Sequence, residues 1–448
     1  MTELVVARAQ MAMLFAFHIL FAVAGMGMPV LMVIAERAHL RTGHPVYAEL
    51  ARRWAKGTAV LFAVGAVSGT VLSFELGLLW PRFMEFAGGV IGLPFALEGF
   101  AFFTEAIFLG IYLYGWDRVS PRLHLASGVL VALGGILSGI FVVTANAWMN
   151  SPAGFTLAGG RPIDVSPLAA MGNPSSATET IHMTLAAFVA SGFAVAGIHA
   201  FLLLKNRENL FHRKALEIAL AVGCTAALLQ PLSGDMSARF VARNQPVKLA
   251  ALEGQFETMR GAPLRIGGIP DVATRTTRFA IEVPKGMSLL AYHDPDARVR
   301  GLADFPRDEW PDPVPVHLAF QTMVAGGTTL ALVSLVAAWF AWKKREGLFG
   351  RRFLIAVALC GPVGLICVEA GWVVTEMGRQ PWAIRGVMRT AEAATPVGGL
   401  LLPFAFFSLL YLGLGAASVW LLRREVAASP FFPAAGDAAD PPAPEGKE

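Results

Sequence analysis

Six ionisable side chains stand inside long apolar runs: His18 in FAFHILFAV, Glu98 and Glu105 in LPFALEGFAFFTEAIFL, His182 in ETIHMTL, and Glu369 and Glu376 in VEAGWVVTEM. An ionisable group is costly to hold in hydrocarbon, so each is a functional candidate by default. Each glutamate pair is spaced by seven residues and therefore shares one helical face. Such pairs suit a proton path or the ion site of a carrier. A lone intramembrane histidine is more often a hydrogen-bonded core residue than a metal ligand.

The elements that must position these groups follow from composition. The 448 residues are 55% hydrophobic and 15% charged, where soluble domains carry roughly a quarter charged. Apolar runs long enough to cross a core of roughly 30 Å recur along the chain. Their limits are read at 10–34, 58–79, 91–114, 124–147, 180–204, 215–233, 316–342, 353–375 and 397–422. The first is too long for the apolar core of a cleavable signal and is read as a retained span. The fold class is thus all-α, a polytopic membrane bundle of about nine transmembrane helices. Cys224, Cys360 and Cys367 lie in apolar stretches without CxxC spacing, which supports neither a zinc site nor a disulfide framework. The net charge of +4 needs no nucleic-acid partner.

Basic residues cluster in alternate connections: Arg37–Lys56, Arg118–Arg122, Lys205–Lys214, Lys343–Arg352 and Arg423–Arg424. By the positive-inside rule these are cytoplasmic, with the N-terminus outside and the C-terminus cytoplasmic. The chain then divides into spans one to six (1–235), a long outer loop (236–315), spans seven to nine (316–425) and a disordered cytoplasmic tail (426–448). A loop that long without a span of its own is usually functional. No internal repeat points to a carrier built from duplicated halves.

Orientation adds depth. His18 falls roughly 12 Å below the outer surface at 1.5 Å per residue. On the same count His182, Met323, Glu376 and Glu98 share its layer, beside the long loop, while Glu105 lies near the midplane. Histidine, methionine and carboxylate can all serve as ligands of haem iron. Spacing alone leaves a redox site and a proton-coupled carrier both open.

Longer blocks carry a resemblance. The run ARAQMAMLFAFHILFA resembles the first helix of cytochrome bd oxidase subunit I, and LPFALEGFAFFTEAIFLGIYLYGWDR resembles its third. NAWMNSPAGF is similar to its outer segment, VKLAALEGQFET to the start of its quinol loop, and EAGWVVTEMGRQPW to its eighth-helix signature. These blocks keep the family's order from residue 8 to about 390.

The resemblance implies three haems: a low-spin b, a high-spin b, and a d-type or second high-spin b haem. It implies His182 and Met323 as axial ligands of the low-spin haem, and His18 and Glu376 as ligands of the two high-spin ones. Glu98 would lie beside the oxygen-reducing haem as a further ligand or proton donor, with Glu105 on the proton route. Lys248 and Glu253 match the quinol-loop positions of substrate oxidation, where a carboxylate can accept a quinol proton; the bland alternative is an exposed ion pair. Arg379 is the expected propionate partner. Trp382 belongs to the cofactor surroundings, and Trp372 and Gln380 to packing or to the outer shell. Gln321 departs from the arginine that many relatives hold two residues before the methionine, a feature similar to the cyanide-insensitive branch. The loop is also short. Implied are a quinol:oxygen oxidoreductase of the bacterial cytoplasmic (inner) membrane, proton motive force without pumping, a second multi-span subunit and a candidate small single-span one. The rival reading is a proton-coupled transporter using Glu98, Glu105, Glu369 and Glu376.

Overall fold

A computed structural model describes residues 3–343, 345–395 and 398–433. Fourteen α-helices follow in chain order among them: α1 Glu3–Thr42, α2 Pro45–Leu79, α3 Pro81–Tyr114, α4 Pro121–Asn150, α5 Pro167–Met171, α6 Ser176–Lys205, α7 Leu210–Asn244 and α8 Pro246–Leu252 come first. After them come α9 Gly286–Tyr292, α10 Pro313–Lys343, α11 Arg351–Cys360, α12 Val363–Met377, α13 Thr390–Ala393 and α14 Leu401–Ala427. Nine stretches are long and apolar enough to cross a membrane, with α11 and α12 counted as one from Arg351 to Met377.

Local sequence sets the helix starts. Proline opens α2, α3, α4, α8 and α10, where its missing N–H costs nothing and its fixed φ is already helical. Ser120 caps α4 by accepting from Leu123 N at 3.4 Å, and Asn209 caps α7 by accepting from Phe211 N at 3.0 Å. The helices outrun the apolar limits because backbone bonding continues past the hydrocarbon. The sixth span, read to end at 233, runs to Asn244, supported outside by the Asp235–Arg239 ion pair at 2.5 Å.

Small residues set the tightest crossings, as expected where lipid leaves packing to drive association. A Cβ on Gly192 of α6 would lie 2.5 Å from the Gly223 Cα of α7, and one on Gly364 of α12 would lie 2.6 Å from the Ala190 Cα of α6. The up-and-down order gathers the starts of α1 and α14, the α2–α3 and α4–α6 connections and the long α7–α10 connection on one face, here the loop face. The opposite, basic face holds the Arg- and Lys-rich turns.

The long connection covers residues 245–312 and contains α8, α9 and three two-stranded antiparallel pairings, Met259–Arg260 with Arg298–Val299 among them. It is fastened to α10. His317 Nδ1 and Nε2 face Leu252 O and Gly267 O at 2.7 and 3.0 Å. One turn on, Gln321 accepts from Gly267 N at 2.9 Å and donates to Arg265 O at 3.0 Å. Of the tail, residues 434–448 lie outside the described residues. Before them, Leu210 N donates to Phe432 O at 2.8 Å.

Candidate functional site

At the loop-face end of α12, Glu376 is gripped from two sides. Asn146 of α4 donates to its Oε1 at 2.5 Å, and Arg379 Nη2 donates to its Oε2 at 2.6 Å. Arg379 is 5% exposed, yet its Nε and Nη1 have no partner. Buried donors left over from an ion pair call for a further anionic acceptor, since an unpaired buried polar atom is costly.

Lys248 reaches the same place from α8. Its Nζ donates to Thr375 O at 3.4 Å. The lysine stem runs over Gly378, where a Cβ would lie 2.8 Å from Lys248 Cε and 3.1 Å from its Cγ. Burial pulls this ammonium down to about 8; Glu179 and Glu376 oppose the shift, while Arg379 and Arg385 add to it. Glu179, in the first turn of α6, thus belongs to the cluster. A cavity of about 200 Å³ opens here, lined by Lys248, Arg379, Gln380, Trp382, Arg385 and Phe305 among others. Arg389 Nη2 bonds Asp308 Oδ2 at 2.6 Å, joining the loop to the segment after α12.

Glu253 stands at the other end of α8, as its C-cap. It is 4% exposed with Oε2 unpartnered, and burial pushes its carboxyl up to about 7 against the pull of Arg265. Lys248 and Glu253 are both buried and form no ion pair with each other among the described residues, so the exposed-pair reading fails. Five residues apart on a helix, they point about 140° away from each other.

Five helices present the remaining donors separately. His18 Nδ1 lies 3.0 Å from Ser68 Oγ of α2, and the ring sits so close to α2 that a Cβ on Gly69 would lie 2.9 Å from its Cε1. His182 Nδ1 lies 3.0 Å from Ser233 Oγ of α7, with the Gln230 amide nitrogen 3.1 Å from its Nε2. The Met323 sulfur of α10 is 3.3 Å from where a Cβ on Gly371 would stand. Glu98 accepts from Ser138 Oγ at 3.2 Å. Glu105 is 4% exposed, set against Gly25, Gly134 and Gly135 of neighbouring helices, with Oε1 unpartnered. Glu369 likewise has Oε1 unpartnered.

No three His, Cys, Asp or Glu side chains converge on a bare-ion site among the described residues. Single donors beside glycine-made gaps, with a cation carrying spare N–H groups nearby, fit haem, whose ring supplies the other iron ligands and whose propionates need cations.

Sequence reasoning missed Asn146, Glu179, Ser68 and Ser233. Only Glu179 left a signal, as an acidic residue opening a span. It missed as well a buried pair towards the basic face, where His124 Nδ1 meets Glu36 Oε1 at 2.7 Å and Nε2 meets Tyr112 O at 2.9 Å. Tyr112, seven residues beyond Glu105 on α3, has a buried, unpartnered hydroxyl.

Residues 6–430 match the family model of cytochrome bd terminal oxidase subunit I. The chain is 40% identical over 428 residues to a Bacillus subtilis protein provisionally named a cytochrome bd menaquinol oxidase subunit I, covering 94% of this chain and 96% of that one. It is 34% identical over 441 residues to the cytochrome bd ubiquinol oxidase subunit 1 of the same organism, with 95% and 94% covered. The bd oxidase structure from Geobacillus thermodenitrificans superposes with a TM-score of 0.90 at 39% identity, covering 95% of this chain and 99% of that one. None of these likenesses supports the transporter reading. With its family model matched almost end to end and its nine candidate spans shared with a solved relative, the chain belongs to the cytochrome bd terminal oxidase subunit I family.

Proposed function

We propose that this chain is the haem-carrying, quinol-oxidising subunit of a bd-type terminal oxidase, with its loop face outward in the bacterial cytoplasmic membrane. The observation that carries the reading is the meeting of Lys248 and Arg379 on one cavity between the loop and the end of α12, with Arg379 bonded to Glu376 behind it.

Haem, when bound, supplies the electron acceptors for quinol and the oxygen-reducing centre. We assign His182 and Met323 to a low-spin b haem, and His18 and Glu376 to a high-spin b haem and a d-type or second high-spin b haem. Glu98 stands beside the oxygen site, and Arg379 with Trp382 holds propionate and ring. The residues do the rest. Lys248, an ammonium below about 8, donates a hydrogen bond to a quinol oxygen. Glu253, poised near 7, is the buried base for a quinol proton, which leaves by the loop face. Glu105 holds protons bound for the oxygen site, and the Ser138 hydroxyl orients the Glu98 carboxylate. Protons released on the loop face and consumed from the basic face separate charge without a pump. The 236–315 segment acts as the quinol-binding loop, a second multi-span subunit docks against the bundle, and a small single-span subunit is a further partner.

The test is a reduced-minus-oxidised spectrum with a pyridine haemochrome assay on the purified complex. Three haems per chain support the assignment, and a long-wavelength chlorin band identifies the d-type. A folded, partner-containing preparation without haem sinks it.

A further inference from the structure

We infer that Ser68 and Ser233 are positioning residues that lock His18 and His182 in the Nδ1–H tautomer, so that each offers its Nε2 lone pair to iron. The inference rests on the ligand assignments proposed above.

The two sites share one device. Each histidine places Nδ1 3.0 Å from a serine Oγ on the neighbouring helix. A serine hydroxyl has a single hydrogen. Ser68 donates it to Gly65 O at 3.1 Å, and Ser233 donates it to Gln230 O at 2.9 Å, in both cases the carbonyl three residues back. A carbonyl oxygen can only accept. Each Oγ therefore faces the imidazole with a lone pair, and the hydrogen between them sits on Nδ1. Ser68 is 0% and Ser233 4% exposed, so solvent does not compete for these bonds.

At His182 a second observation agrees. The Gln230 amide nitrogen is 3.1 Å from His182 O, an acceptor, which fixes it as the NH2 end of the amide. The same nitrogen lies 3.3 Å from Nδ1 and 3.1 Å from Nε2, and with the ring hydrogen on Nδ1 only Nε2 can accept from it. Iron at Nε2 requires this amide to turn away. Gln230 Oε1 has no partner where it lies, so turning the side chain gives up only the amide nitrogen's contacts with His182. At His18 it is Gly69 that fixes the ring edge, at 2.9 Å from the position of a Cβ.

The other histidines lack this arrangement. His124 and His317 have both ring nitrogens facing oxygen acceptors, and His199 and His212 face each other through Nδ1 at 3.0 Å. Hydrogen bonding of the distal nitrogen is the usual means by which a protein fixes a ligating histidine's tautomer and tunes its basicity.

The test uses the intact oxidase complex with Ser68→Ala, Ser233→Ala, the corresponding threonine variants, and His18→Ala and His182→Ala as references. Expected for S68A is a lower iron–histidine stretching frequency in the resonance Raman spectrum. Expected for S233A is a higher midpoint potential of the low-spin haem, because a bond that strengthens the ligand is lost. Threonine restores both. Unchanged frequency and potential with haem retained overturn the lock, as does haem loss that threonine does not recover. Haem retained with an unaltered spectrum in H18A or H182A overturns the ligand assignment itself, whatever the serine variants do.

Discussion

Arg379 donates to Glu376 at 2.6 Å through Nη2 while its Nε and Nη1 stay buried and unpartnered, so its guanidinium carries more hydrogen-bonding capacity than the protein uses. Arg379→Gln is expected to lower haem content at the outer site and oxidase activity at least about tenfold, which is about 1.4 kcal/mol. Arg379→Lys should recover only part of it, because an ammonium keeps the charge but not the planar fork. Haemochrome stoichiometry and oxygen-electrode rates check both.

Quinol oxidation should be bell-shaped in pH. Glu253 can accept a proton only when ionised, so the rate rises as pH climbs through about 7. Lys248 donates as an ammonium, so the rate falls as pH climbs through about 8. Glu253→Gln removes the acidic limb together with most of the rate, and Lys248→Arg carries the alkaline limb upward. A pH series of quinol-dependent oxygen uptake reads both limbs.

Glu105 has no hydrogen-bond partner for Oε1 and is walled by glycines of α1 and α4. Glu105→Gln keeps the shape and removes the titratable proton. Activity should drop on the order of 100-fold, with haem spectra intact and Glu105→Asp intermediate. Stopped-flow proton uptake separates this from a loss of quinol binding.

His317 is fully buried and serves two loop carbonyls. His317→Ala leaves both without that partner, at about 1–3 kcal/mol each. The expected result is faster proteolysis within residues 245–312 and a KM for quinol raised about threefold or more, at an unchanged haem count. Limited digestion and steady-state kinetics check it.

The spans were legible because a membrane-crossing helix needs only length and apolarity. Their ends were not, since α1 runs from Glu3 to Thr42 around an apolar stretch read at 10–34. Within one helix, spacing carried far: Glu98 and Glu105 fall on one face of α3 because seven residues make nearly two turns. Across helices it carried nothing. Asn146 meets Glu376 over 230 residues, and Ser68 meets His18 over 50, and no local pattern marks such pairs. The ion pair that VKLAALEGQ invites does not form, because α8 ends at Leu252 and turns its lysine and its capping glutamate into different surroundings.

The fastening of the loop to α10 has a consequence for regulation. His317 and Gln321 grip the loop on the very helix that bears Met323, two residues beyond Gln321. With Met323 as an iron donor and the loop as the quinol site, both as proposed above, loop occupant and iron charge bear on one helix. Thermodynamic reciprocity then makes the two effects equal. A quinone analogue that raises the potential of that centre must bind more tightly to the reduced protein by the same factor, so the substrate site reports whether its electron acceptor is already full.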